Sequence, residues 1–383
     1  MARRLVSGSR RPPRRLSDVK RTRKHDLLDD LLRAVPSRDQ DSERAPSATA
    51  DSAAADDAAG RYLVTGCAGF IGSHLVEVLL EGGHEVVGVD GFTDYYSRTL
   101  KEANLAVALD KPRFSLVEAN LADVDIEPLL ADVAGVFHLA ARPGVRTSWG
   151  DSFVDYVRDN LVATQRLLEA AARAGVRVVF ASSSSVYGNA ETYPTNEDFL
   201  LHPISPYGVT KLSCEHLAAA YAACFDLEFV TLRYFTVFGP RQRPDMAFSR
   251  IASALAQRMP FSLTGTGKQS RDFTFVGDAV AATLAAMKDA PSGTVYNVGG
   301  GTEATLLEVI ALCEELSGRR LKVRRRPEAA GDVLRTAADT SRIREELGWA
   351  PRTSLAEGLE AQLTETPTAL PRSAELVRLA RAL

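Results

Sequence analysis

Tyr207 and Lys211 stand four residues apart in SPYGVTK, about 140 residues after a glycine-rich TGCAGFIG. On a helix, positions i and i+4 share a face. The ammonium then lies beside the phenol and favours its anion. A tyrosine tuned in this way can take a proton from an alcohol near neutral pH, as a hydride transfer from the same carbon requires. Alone, Tyr-x-x-x-Lys is a common surface pair. The glycine loop upstream gives it a chemical reading.

That loop supplies Gly66, Gly69 and Gly72 after an apolar strand and at the start of a helix. The first glycine permits a tight turn, the second lets the backbone approach a pyrophosphate, and the third allows close helix–strand packing. Phe70 and Ile71 lie between them. The helix start offers free N–H groups and the positive end of its dipole to phosphates. Asp90 ends the second strand, where a carboxylate accepts hydrogen bonds from the adenosine ribose and repels a 2′-phosphate, so NAD is favoured over NADP. Small residues after the fourth strand (Leu139, Ala140, Ala141) leave room for the dinucleotide, and His138 reads as a packed, hydrogen-bonded histidine rather than a catalyst.

The elements that position these groups follow from apolar runs and helical periodicity. RYLVTG, EVVGVD, FSLVEA, GVFHLAA and VRVVFASSS read as strands. Phe70–Glu81, Asp151–Ala174 and Pro206–Cys224 read as helices between them. Alternating strands and helices imply a parallel sheet covered on both faces. After LEFVTLRYF the rhythm loosens into Phe248–Arg258, Asp278–Lys288, Leu306–Ser317 and Thr340–Leu347, with short strands TVYNVG and LKVRRR. The fold class is therefore α/β: a Rossmann-type doubly wound parallel sheet with a smaller C-terminal α/β substrate lobe. Its expected divisions are an N-terminal extension (1–59), a dinucleotide-binding domain (60–235), a mainly substrate-binding lobe with segments returning to the core (236–365), and a C-terminal tail (366–383).

Composition is that of an ordinary globular protein: 383 residues, 45% hydrophobic, 25% charged, net charge −3. Nothing global points to nucleic acid. The four cysteines form no CxxC pair and read as free thiols in a reducing, cytoplasmic setting. No apolar run reaches the roughly 20 residues of a membrane span. Residues 1–24 are dense in Arg and Lys, 26–35 (DLLDDLLRAV) read as a short amphipathic helix, and 36–59 read as disordered. We read this arm as a solvated tail, separable from the chemistry.

Together TGCAGFIG, Asp90, HLAA, Asn160 in DNLVAT, SSSSVYG, YGVTK and RDFTFVGD resemble the extended short-chain dehydrogenase/reductase family, in its NAD-dependent sugar-nucleotide epimerase/dehydratase branch. The resemblance spans roughly residues 61–360. It implies NAD in the N-terminal lobe, a nucleoside-diphosphate sugar in the C-terminal lobe, and a homodimer through Asp151–Ala174 and Pro206–Cys224. It also implies cofactor contacts at Asn120 and Leu121, although the branch often has Asp where Asn120 stands. Arg271 matches the arginine that holds the substrate diphosphate. Asp332 and Arg335 fall where uridine and phosphate contacts are expected, and Arg146 belongs with the same group.

Within this branch, 4,6-dehydratases carry Thr-Asp-Glu before Val-Tyr-Gly, and UDP-glucuronate decarboxylases carry Glu at the last of the three. Here the positions are Ser183, Ser184 and Ser185. The carboxylates needed for elimination or decarboxylation are missing, and a hydroxyl with the Tyr–Lys pair is the equipment of an epimerase. Ser183 aligns with the hydroxyl that orients the sugar, and Ser184 or Ser185 takes its place if the register slips by one. RYFTVFGPRQRPDMAF resembles UDP-glucuronate 4-epimerases, with Thr236, Arg241 and Arg243 as candidates to recognise the C6 carboxylate. The implied reaction is C4 epimerisation of UDP-glucuronate to UDP-galacturonate through a 4-keto intermediate. The alternatives are a 4-epimerase of neutral UDP-sugars, a decarboxylase, and a non-catalytic NAD(H)-binding regulator.

Overall fold

The computed structural model describes residues 59–327, 331–364 and 374–383. The basic arm, the expected helix at 26–35 and residues 366–373 of the expected tail lie outside these. The chain enters β1 (Arg61–Thr65), turns through the glycine loop into α1 (Phe70–Glu81) and continues as β2 (Glu85–Asp90), α2 (Arg98–Leu109), β3 (Phe114–Glu118) and β4 (Gly135–His138).

The segment expected as one helix over 151–174 is built in pieces. A short 3-10 turn (Gly150–Ser152) leads into α3 (Phe153–Tyr156). A π-helical stretch (Val157–Val162) then precedes α4 (Ala163–Ala174). Such wider turns re-aim side chains. This one buries Asp159 and Asn160, and both reach the backbone or side chain of Arg142.

β5 (Val178–Ser183), α5 (Pro206–Phe225) and β6 (Phe229–Tyr234) complete the first half. β7 (Thr236–Phe238), α6 (Ala247–Gln257), β8 (Phe261–Thr264), β9 (Ser270–Phe275), α7 (Val276–Asp289), β10 (Val295–Val298), β11 (Glu303–Thr305), α8 (Leu306–Ser317), β12 (Val323–Arg326), α9 (Ser341–Leu347), α10 (Leu355–Thr364) and α11 (Ala374–Arg381) follow.

Seven strands pair in parallel in the order β10-β6-β5-β4-β1-β2-β3. The strand order reverses between β1 and β4, and ligands of such sheets bind in the crevice at that point. Alternation along β1 splits the core. Leu63 packs with Leu167, Leu168 and Ala171 of α4. Tyr62 and Val64 face the opposite side with Leu75 and Leu79 of α1.

TVYNVG, read as part of the smaller lobe, supplies β10 and pairs with β6 in the main sheet. The smaller lobe holds a three-stranded sheet, β11-β9-β7, and a parallel pair, β12-β8. The last helix, within the expected C-terminal tail, packs against the body of the fold. In α11, Leu376 and Ala380 are buried, and the Ala380 carbonyl meets His84 Nε2 at 2.5 Å. Among the described residues no helix is long and apolar enough to cross a membrane.

Candidate active site

The glycine loop is sterically committed. Gly66 sits at φ +70°, and a Cβ there would lie 2.8 Å from the Ala140 backbone nitrogen. The N-terminus of α1 has no side-chain cap, so its first N–H groups stay open to a ligand. Asp90 is fixed from two sides, accepting from Ala68 N at 3.2 Å and Phe92 N at 2.8 Å. Lys101, absent from the sequence reading, reaches Asp90 Oδ1 at 3.6 Å from the inner face of α2. Its signal was a lysine on the helix face that also carries Asn104, Leu105 and Ala108, since an inward lysine needs a partner.

His138 is a structural histidine. Thr65 Oγ1 meets its Nδ1 at 2.8 Å and Thr164 Oγ1 meets its Nε2 at 2.9 Å. Burial holds its pKa down at about 3. Asn120 accepts from Ala122 N and donates its amide to Asp159 Oδ1 at 3.0 Å, so the side chain is already anchored. Asn160 ties Arg142 to Thr210 of α5.

The helix that carries Tyr207 starts at Ser205, whose Oγ accepts from Gly208 N, with Pro206 at the first helical position. Gly208 allows the helix to press on the serine turn, because a Cβ there would lie 2.6 Å from the Ser185 carbonyl oxygen. Ser183 ends β5. Its Oγ accepts from Ser185 N and donates to Ser185 Oγ, both at 3.1 Å.

Burial pushes the Tyr207 phenol above its usual range, and the Ser183 hydroxyl and the Arg243 guanidinium pull it back. The sequence reading gave the cationic role to Lys211. In the structure Lys211 donates to the Ala181 carbonyl at 2.8 Å, and burial lowers its own pKa to about 8. Beneath this face lies a buried network that the sequence did not reveal. Glu215 accepts from Ser182 and, at 2.8 Å, from Arg233, and Arg233 also donates to Tyr187 at 2.8 Å.

One cavity of about 370 Å³ unites these parts. It is lined by Gly66, Gly69, Phe70, Ile71, Gly72, Asp90, Asn120, Leu121, Leu139, Ala140 and Ala141 on one side, and by Ser183, Ser184, Ser185, Tyr207, Lys211, Thr236 and Arg243 on the other. Its described carboxylates are Asp90 and Asp159. Among the described residues that line it, no acid stands beside Tyr207 to drive elimination.

The remaining candidates lie outside that lining. Arg241 departs from expectation: it is buried in an ion pair with Glu77 of α1 and does not line the cavity. Arg146 grips Asp332 with Nε at 3.2 Å and Nη2 at 2.6 Å. Arg271 donates to the Val333 carbonyl at 2.6 Å, and both Arg146 and Asp332 act on its charge. Arg146 also lowers the pKa of Arg250, behind burial as the main cause. Arg146 and Arg271 thus gather around Asp332, and Arg250 stands close enough to Arg146 to feel its charge. Arg335 pairs with Glu303 at 2.7 Å and stacks over Tyr193. Among the described residues no cluster of three metal-ligating side chains occurs.

A family described as GDP-mannose 4,6 dehydratase matches residues 63–362. The uncharacterized UDP-glucose epimerase YtcB of Bacillus subtilis is 44% identical over 306 residues, covering 79% of this chain and 96% of that protein. A UDP-glucuronate 4-epimerase of Thermodesulfobacterium geofontis is 37% identical, covering 79% of this chain and 94% of its own. Among solved structures, UDP-glucuronic acid 4-epimerase from Bacillus cereus in complex with UDP-glucuronic acid and NAD superposes with a TM-score of 0.77 at 43% identity. That match covers 79% of this chain and 98% of the other.

Proposed function

The chain belongs to the extended short-chain dehydrogenase/reductase family, in the branch that includes the GDP-mannose 4,6 dehydratase and UDP-sugar 4-epimerase sequences, and on that premise we propose that it interconverts UDP-glucuronate and UDP-galacturonate by inverting C4. The observation that carries this reading is the shared cavity. A dinucleotide cradle, the Ser183–Tyr207–Lys211 face and Arg243 open into one space whose serine turn bears no carboxylate.

The cradle fits NAD: only glycine tolerates the Gly66 geometry, the α1 terminus is open, and Asp90 is held where a ribose would meet it. NAD bound in this cradle would supply reversible hydride acceptance at C4, which would leave no net redox change. Gly66, Gly69, Gly72 and their neighbours would hold the dinucleotide, and Lys211 would hold its nicotinamide ribose. Tyr207 removes the proton from the C4 hydroxyl, with Ser183 orienting that hydroxyl. Because burial alone opposes the phenolate, the Ser183 hydroxyl and the Arg243 guanidinium make it more accessible.

The diphosphate is held by Arg271, which backbone carbonyls position, and by Arg146, which Asp332 orients. The 4-keto sugar turns about its diphosphate linkage and presents its other face. Thr236 and Arg243 meet the C6 carboxylate. That keeps the C5–C6 bond out of line with the C4 carbonyl, and the β-keto acid is kept from losing CO₂. Neutral UDP-sugars are the second reading, favoured by the name of the Bacillus subtilis relative.

The protein acts as a homodimer in this reading. Val154 is 71% exposed on α3, and Val162 and Val209 are exposed on the adjoining faces. A helix-to-helix contact with a second copy would cover them. Four free thiols suit a cytoplasmic setting.

UDP-glucuronate deuterated at C4 tests the chemistry. Retention of the label in UDP-galacturonate is expected, and its exchange with solvent would contradict a returned hydride.

A further inference from the structure

Arg243 reaches the cavity from the loop between β7 and α6, and a second residue of that loop is still without a role. Asp245 accepts two hydrogen bonds from Arg243, from Nε at 3.0 Å and from Nη2 at 3.1 Å. The hydroxyl of Tyr95, from the loop that follows Asp90, also reaches Asp245 Oδ2 at 3.5 Å. The Tyr95 ring lies 5.8 Å from the Arg243 guanidinium. The Arg243 side chain is 18% exposed and that of Asp245 is 41% exposed. Two loops from opposite sides of the cavity thus converge on one guanidinium.

A guanidinium offers five N–H donors in a rigid fork. Asp245 takes the side formed by Nε and Nη2. Among the described residues, Nη1 has no hydrogen-bond partner. Resting on the reading above, we propose that Asp245 is a specificity-determining positioning residue: it holds the Nε–Nη2 side of Arg243 so that Nη1 is left to meet the C6 carboxylate of the substrate. A long side chain fixed before binding loses less rotamer freedom when the ligand arrives. A guanidinium fixed in plane also fixes the plane of the carboxylate that it meets.

Where the carboxylate is held relative to the sugar ring decides the fate of the 4-keto acid. Loss of CO₂ breaks the C5–C6 bond and sends its electron pair into an enolate across C4 and C5. A solvent proton at C5 then gives UDP-4-keto-pentose. The step needs the C5–C6 bond aligned with the carbonyl π system, so a loosened clamp admits it.

The test is the product partition of Asp245→Ala and Asp245→Asn with UDP-glucuronate, alongside the unmodified enzyme. The partition is a ratio within the active molecules, so a partly misfolded sample does not move it. In Asp245→Ala the pentose products should rise at least about fivefold relative to UDP-galacturonate, and KM should rise about tenfold with a smaller change in kcat. Asp245→Asn keeps one acceptor and should fall between. A fall in kcat with partition and KM unchanged would mark a merely structural aspartate and overturn the proposal. If the unmodified enzyme leaves UDP-glucuronate untouched, the parent reading falls and this proposal with it.

Discussion

Arg241 and Glu77 form an ion pair of 2.7 Å whose side chains are 2% and 10% exposed, joining the Arg243 loop to the helix that follows the glycine loop. Arg241 takes a left-handed backbone conformation, φ +61°, to make it. Its Nε and Nη1 have no hydrogen-bond partner among the described residues. The pair is therefore a tether between the cofactor side and the substrate side of the cavity, at some cost in strain and desolvation.

Removing that guanidinium leaves Glu77 one cation short in a buried place. Arg241→Met should lower stability by about 3 kcal/mol, in line with broken buried pairs. Denaturant unfolding measures it. A midpoint within error of the parent protein would show that the pair contributes nothing.

Lys211 trades stability for chemistry. Its folded pKa is about 8, against 10.5 for the free side chain. Below pH 8 both states are protonated and the folded protein bears the full cost of a buried charge. Between 8 and 10.5 the unfolded chain holds more protons, so this cost shrinks as pH rises. Lys211→Met should raise the melting temperature of the cofactor-free protein at pH 7 by roughly 2–4 °C, with the gain fading toward pH 10.5, while activity is lost. Scanning calorimetry at both pH values checks the sign.

Two buried histidines predict the acid limb of stability. Burial holds His138 and His74 at about 3 in the folded state, below the 6.5 of the unfolded chain. From pH 6.5 downward the unfolded chain binds protons that the folded one refuses. Stability should fall by up to about 2.7 kcal/mol per pH unit for the two together. His138→Gln should make that fall about half as steep, whatever it does to absolute stability. An unchanged slope would contradict the assignment.

Arg243 carries two effects at once, on Tyr207 and on the C6 carboxylate. Arg243→Ala should raise the pentose by-product and move the pH dependence of kcat to higher pH, because Tyr207 loses a cation that favours its anion. Product ratios and a pH–rate profile read the two effects separately.

Contiguous signals were legible in the sequence. Phe70–Glu81, Glu85–Asp90 and Leu306–Ser317 have the bounds read from periodicity. The glycine loop, Asp90, the serine turn and the Tyr–Lys helix meet at one cavity. What escaped was pairing at long range. α2 was missed because its inner face includes Lys101 and Asn104, which break the apolar period. Arg241 looked like a ligand because a loop arginine beside Arg243 carries no mark of its partner, 164 positions away. Asp245 has no signal until the Arg243 side chain is seen against it.

The central claim is tested most directly by incubating the purified protein with UDP-glucuronate, UDP-glucose and UDP-N-acetylglucosamine separately, and resolving the products by chromatography and NMR. The account predicts UDP-galacturonate from the first and little from the others. Turnover of the neutral sugars alone would contradict the carboxylate role of Thr236 and Arg243. UDP-xylose as the main product would mark a decarboxylase, and no turnover of any of the three would contradict the reading as an enzyme.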